Sequence, residues 1–160
     1  MTKSILIAAS PLTEDSDGNP LGERGSILAH ACHLAKHGGV VWVLIQPGES
    51  YSEAFRHPDL KRAYFYDVPS QTISYRATID FAGAPGEIPN LDTLKWYYPQ
   101  FRPFPPAEFT FILLISGFER LDKNYRLDDF FKLDGSKVER VQNYVLIEDP
   151  EFTSIYSIPK

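Results

Sequence analysis

The stretch "AYFYDVPSQTISYRATIDFAG", residues 63–83, holds two runs of β-branched and aromatic residues on either side of Pro69-Ser70-Gln71-Thr72. Runs of this kind, bounded by turn residues, predict strands over 63–68 and 73–82, and the short connection predicts a hairpin. In the second strand Ile73, Tyr75, Ala77, Ile79 and Phe81 alternate with Ser74, Arg76, Thr78 and Asp80. A period of two puts the first set on one face of a sheet and the second on the other. By the same rule Tyr64 and Tyr66 share a face and Phe65 takes the opposite one.

Upstream, "VVWVLI" at 40–45 is a β-branched run stopped by Gln46-Pro47-Gly48, and it predicts a further strand. Before it, residues 24–37 carry Ile27, Leu28, Ala31, Leu34 and Ala35 at helical spacing, and Gly38-Gly39 supplies the left-handed cap that ends a helix. Ile5–Ala9 reads as a buried strand, residues 11–23 as an exposed loop, and Ser52–Arg56 as a helical turn. Downstream, a Pro/Gly loop over 83–106 leads to "EFTFILLISGFERL", 108–121, a long strand with a bulge expected at Gly117. "YRLDDFFKL" reads as a short helix and "NYVLIED" as the last strand. Five or six strands with two or three helices, mostly in hairpin order, predict an α+β fold. The expectation is one domain over 1–160, a small, strongly bent mixed sheet or barrel flanked by those helices.

An apolar fraction of 43% and a charged fraction of 23% are those of an ordinary globular protein. No window approaches the ~18 apolar residues of a membrane span, so no membrane partner is expected. A single cysteine, Cys32, cannot form an internal disulfide, which fits a reducing cytoplasm. The net charge of −5 counts against a protein that grips many phosphates, yet it leaves room for a small pocket with a few local cations.

Enzymatic patterns are weak. "HACHLAKH" puts His30, His33 and His37 at i, i+3 and i+7 on a helix, but no acidic residue stands between His33 and His37 to act as a base. No metal site is expected there. Cys32 falls mid-helix in an apolar setting, where a thiol is packing. "GNPLGERG", 18–25, leads into a helix, but it lacks the Lys-Ser/Thr of a phosphate loop and the spacing of a dinucleotide fingerprint. The segment from Ile5 to Leu44 is similar to the first βαβ unit of a nucleotide-sugar glycosyltransferase. That unit needs a parallel sheet behind it, and a hairpin follows instead. The acidic pairs Asp128-Asp129 and Glu148-Asp149 sit at element ends, the usual place of solvated or capping groups. No catalytic residue and no cofactor are expected.

Aromatic residues make up 14% of the chain, and "KWYYPQFRPFPP", 95–106, places five rings among four prolines. Proline excludes that stretch from a helix interior or a central strand. Rings that stack on a planar heterocycle contribute about 1–3 kcal/mol per base without a strong charge field. An acidic domain can therefore bind nucleic acid by taking in one extruded base rather than by tracking a backbone.

From Val41 onward the order of features resembles the PUA-like superfamily, in particular its EVE and YTH-type domains. The resemblance rests on "VVWVLI" with its strand Trp, the 63–83 hairpin, the Pro/aromatic loop, and "FTFILLISGFERLDKNYRLDDFFKL", and it covers about two-thirds of the chain. It implies a compact barrel and the reading of modified, for example methylated, bases in DNA or RNA by an aromatic cage. It also implies a link to the N-terminal specificity modules of McrBC-type modification-dependent restriction systems, hence to a larger protein or a fused catalytic domain. The cage would draw on Trp42, Trp96 and a tyrosine among Tyr66, Tyr75 and Tyr98. Lys61, Arg62, Arg76, Lys95 and Arg102 are the candidates for phosphate contacts, and Ser74 or Asp80 for a base edge. The alternatives are a small metal-dependent or nucleotide-processing enzyme, using the histidine helix or the 18–25 loop, and a protein-interaction domain that docks through the Pro/aromatic loop.

Overall fold

The structure is a computed structural model that describes residues 2–9, 25–45, 59–68, 70–83, 96–97, 110–141 and 144–158. Its strands are Lys3–Ala9 (β1), Val40–Ile45 (β2), Arg62–Asp67 (β3), Thr72–Gly83 (β4), Thr110–Tyr125 (β5), Tyr144–Glu148 (β6) and Ser154–Ile158 (β7), with a helix Gly25–His37 (α1). The predicted hairpin is present as the antiparallel pair β3–β4, with Phe65 opposite Tyr75. Its connection closes when the Gln71 amide donates to the Asp67 carbonyl at 2.8 Å and the Ser70 hydroxyl donates to the Asp67 carboxylate at 2.8 Å. Gln71 sits at φ +57°, a left-handed conformation that costs an L residue about 1–2 kcal/mol. Gln71→Gly is therefore expected to raise stability by about 0.5–1 kcal/mol, once glycine's own entropy is set against the relieved strain. A urea denaturation midpoint checks this; a lower midpoint would mean that the Gln71 side chain contributes more than its backbone costs.

The hairpin lies in the middle of one mixed seven-stranded sheet, ordered β2-β5-β4-β3-β1-β6, with β7 also pairing β5. β1 runs parallel to β3, and every other pairing is antiparallel. The 16-residue β5 pairs with β2 over its first part, with β7 over its second, and with β4 along its other edge. Thr78 faces Gly117 while Ile79 faces Ile115, so an extra β5 residue is accommodated beside the glycine where a bulge was expected. Further register shifts fall between Ile73 and Tyr75 and between Ile79 and Phe81. Such bulges bend the strand and increase its twist. They also break the predicted alternation: Ile73 packs in a different core from Tyr75, Ala77 and Ile79. The two ends of the sheet path, β2 and β6, do not pair among the described residues, so the sheet is open rather than closed. β1 and β2 run antiparallel with three strands between them, which is not the arrangement of a βαβ unit.

α1 covers one face. Ile27, His30, Ala31 and Leu34 are buried, the i, i+3, i+4, i+7 stripe of an amphipathic helix. Ala35 is exposed, against expectation, because it lies off that stripe. Gly38, at φ +80°, donates its amide to the Leu34 carbonyl at 2.8 Å and ends the helix as predicted. Under α1 lie Ile5, Ile7, Ala63, Phe65, Ala77, Phe111 and Phe118. The opposite face buries Leu6, Tyr64, Ile73, Leu121 and Tyr125 against Phe130, Val138 and Val141.

The helix expected over "YRLDDFFKL" is reduced to a single 3-10 turn, Leu127–Asp129. The backbone beyond it is engaged elsewhere: the Glu148 amide donates to the Phe131 carbonyl at 3.0 Å, and Lys132 bridges Ile147 at the edge of β6. Tertiary pairing overrides a weak local preference. β7 was not expected, and the predicted turn at Ser52–Arg56 lies outside the described residues. No helix among the described residues is long and apolar enough to cross a membrane.

Candidate functional site

The four candidate cage rings among the described residues, Trp42, Tyr66, Tyr75 and Trp96, do not come together. Trp42 is 3% exposed, its ring stacked on His30 at 4.1 Å and tilted against Phe65 at 4.6 Å, so it belongs to the core beneath α1. Tyr66 is half-buried on the opposite face of the sheet, packed against the Leu6–Tyr64 core. A sheet therefore separates the two, and they cannot flank one ligand. Tyr75 lies at the margin of the α1 core, with the Arg120 guanidinium 5.4 Å over its ring and a hydrogen bond to Tyr156. The void beside it, between Ile27, Ala31, Phe118 and Tyr156, is about 30 Å³, room for a water and not for a base. Tyr98, Lys95 and Arg102 lie outside the described residues.

Trp96 is 58% exposed and clipped to the end of α1. Its indole Nε1 donates to the His37 carbonyl at 3.2 Å, and its own carbonyl accepts from His33 Nε2 at 3.2 Å. Tyr97 leans on Gly39, where a Cβ would stand 3.0 Å from its ring, so a larger residue there would push the ring outward by a few tenths of an ångström. His33 and His37 lie against each other at 4.2 Å beneath Trp96, whereas His30 turns inward to Trp42. Burial holds the His33 pKa below its usual 6.5; the Trp96 carbonyl opposes this, and the His37 and Lys36 charges reinforce it. Among the described residues no three or more His, Cys, Asp or Glu side chains are arranged to hold a metal ion. Cys32, expected in packing, is exposed on the solvent side of the helix.

Two of the polar candidates are structural. Arg76 is 5% exposed; its guanidinium pairs with Glu119 at 3.1 Å, donates to the Phe152 carbonyl, and reaches the Tyr64 hydroxyl at 3.4 Å. The Tyr64 hydroxyl in turn donates to Asp149 at 2.6 Å, and both burial and that carboxylate push its pKa far up. Ser74 is buried and donates to Asn124 at 2.6 Å. Neither Arg76 nor Ser74 is placed to meet a nucleic acid, because segments 126–141 and 149–153 fold over the face that the alternation assigned to solvent. Arg62 pairs with Asp149 at 3.7 Å and Lys61 with Glu151 at 3.8 Å, while the exposed Asp80 accepts from Ser116 at 2.9 Å.

Of the candidate rings, Tyr66 lines a sizeable cavity, an open cleft of about 530 Å³. The hairpin contributes Tyr66 and Gln71. One arm is the turn after β5, with Arg126, Leu127 and Asp128; the other is the returning segment with Lys137, Val138 and Glu139. The Arg126 amide donates to Asp129 at 2.9 Å, closing the first arm. Gly135, at φ +88°, lets the chain reverse, and the Val138 amide donates to the Phe130 carbonyl at 3.1 Å, laying the second arm alongside the first. Among the described residues none of the four charged side chains enters an ion pair. The volume falls within the range of small-molecule sites, roughly 300–1,000 Å³. Of the two arms only Asp128 was named in the sequence, as a solvated or capping group, although the repeated order cation–apolar–carboxylate, Arg126-Leu127-Asp128 and Lys137-Val138-Glu139, is legible there. Comparison with protein-family models, with curated proteins and with solved structures finds no match for this chain.

Proposed function

We propose that this chain is a nucleic-acid-binding module that takes a single-stranded or flipped base into the cleft at Tyr66. The observation that carries the reading is a cavity of about 530 Å³ with a half-buried tyrosine at its wall and two cations, Arg126 and Lys137, that enter no ion pair among the described residues. Tyr66 is the stacking platform, the apolar Leu127 and Val138 flank the base, and the two cations receive phosphate oxygens. The aromatic cage of the sequence reading is thus narrowed to Tyr66, with Trp42 removed to the core. The PUA-like assignment, and with it a preference for methylated bases, rests on the sequence resemblance alone; among the described residues the sheet is open and is not the compact barrel that the resemblance implies.

The test is fluorescence anisotropy of labelled single-stranded DNA and RNA pentamers, with and without methylated bases, over a series of salt concentrations. With two phosphate contacts the slope of log K against log salt is expected near about −1.4, shallow for a nucleic-acid binder. Tyr66→Ala is expected to weaken binding roughly 5- to 150-fold, the equivalent of one lost base stack. Binding equal to the unaltered protein, or none by either protein to any oligonucleotide, would refute the reading. A protein-docking role is the second reading, favoured by the exposure of Trp96 (58%), Ile155 (62%) and Tyr156 (49%). Sedimentation that depends on concentration, with no response to oligonucleotides, would support it.

A further inference from the structure

The cleft also carries the means to choose which base it takes, and this inference rests on the base-binding reading above. Each arm brings one cation, one apolar side chain and one carboxylate to the same cavity. The opposite charges do not satisfy one another: among the described residues neither Arg126 nor Lys137 pairs with Asp128 or Glu139. A ligand that fits both signs offers an anionic group to the cations and hydrogen-bond donors to the carboxylates, on a flat body that Tyr66 can stack against.

A carboxylate accepts only, and its two oxygens match two parallel donors. Neutral guanine offers that pair, N1–H beside the N2 amino group. Adenine and cytosine place a ring-nitrogen acceptor next to their amino group, and uracil or thymine places its N–H between two carbonyls, so each sets a lone pair against the carboxylate. A purely cationic ligand is opposed by Arg126 and Lys137. We propose that the cleft selects a guanine base, with the carboxylates of Asp128 and Glu139 reading its two-donor edge while Arg126 and Lys137 hold the phosphate and Tyr66 the ring. Asp128 and Glu139 are both exposed, so their amide variants keep the fold.

The experiment uses the full chain and three DNA pentamers that differ at the central base: guanine, inosine or thymine in a thymine background. Inosine keeps N1–H and lacks the N2 amino group. Guanine is expected to bind at least about 10-fold tighter than thymine, with inosine between them, since charge-assisted hydrogen bonds are the strong ones. In the Asp128→Asn/Glu139→Gln double variant the three affinities should fall within about twofold of one another, the thymine pentamer gaining because no carboxylate then opposes its carbonyl lone pairs. Equal affinities in the unaltered protein, with binding still lost in Tyr66→Ala, overturn guanine selection and leave the base-binding reading standing. A guanine preference that survives in the double variant likewise removes the two carboxylates from the role. Absence of binding to all three pentamers overturns both readings.

Discussion

Trp42→Ala is expected to lower the unfolding free energy by about 3–5 kcal/mol, the usual loss for truncating a large buried aromatic. The indole is 3% exposed and its two ring neighbours come from different elements, His30 from α1 and Phe65 from β3. Removing it opens a cavity where helix meets sheet, and a rigid interior relaxes only partly into such a space. Against a total stability of about 5–15 kcal/mol this is a large fraction, and guanidinium denaturation reads it directly. The conservative Trp42→Phe keeps a ring at the site and should cost less. On the present geometry Trp42→Phe also leaves oligonucleotide affinity within about twofold, because small repacking changes far from a site are close to additive with it. If Trp42 were a cage ring, the opposite pattern would appear: a small loss of stability with a large loss of binding. That outcome would return the site to the α1 face and empty the Tyr66 cleft of its role.

The same tryptophan shows which features the sequence made legible. The β3–β4 hairpin was visible because two alternating runs meet at a short polar connection, and the end of α1 because Gly38 is needed at positive φ. The bulge beside Gly117 was visible for a similar reason. What escaped was set by distant chain. Ser74 and Arg76 occupy the polar half of the β4 alternation, and nothing local says that residues 126–141 and 149–153 will cover that half. Phe130 and Phe131 look helical in sequence; one is fully buried and the other 41% exposed because the Phe130 carbonyl accepts from Val138 while the Phe131 carbonyl accepts from Glu148 at the edge of β6, which leaves the backbone extended. His30 was read with the other histidines, although its place in the stripe with Ile27, Ala31 and Leu34 already pointed inward. Tyr66 was named, but its neighbours in the cleft arrive from about 60 residues further along the chain, and only their repeated charge order marked them.

Arg76→Met is expected to be as damaging as the loss of Trp42, for an electrostatic reason. The arginine and Glu119 are paired at 3.1 Å with side-chain exposures of 7% and 22%. Removing one member of a buried pair costs about 3–5 kcal/mol, because the remaining charge has lost both its water and its partner. Here the Phe152 carbonyl and the Tyr64 hydroxyl lose a donor as well, and with them the tie that holds residues 149–153 over the sheet. Solvent still reaches Glu119, which places the expected loss toward the lower end, near about 3 kcal/mol. A second variant separates the pair from its packing: Arg76→Met/Glu119→Leu should recover a good part of the loss, since an apolar pair of similar volume leaves no stranded charge. The pH dependence has a definite sign. Burial alone would raise the Glu119 pKa, but the hydrogen bonds from Arg76 and Ser154 and the charges of Arg76 and Arg62 outweigh it, so the folded value lies below the ordinary 4.5. The unfolded chain therefore takes up the proton first as pH falls. The stability from this group is complete above about 4.5 and is lost as pH drops through the folded value. The penalty of Arg76→Met should accordingly be largest at neutral pH and shrink at about pH 3.5, where the partnerless carboxyl of the variant takes up a proton and its stranded charge is gone. Urea denaturation at the two pH values measures it, and a penalty that stays constant between them would mean that Arg76 acts here through packing and its bond to the Phe152 carbonyl, with the charge of Glu119 contributing little.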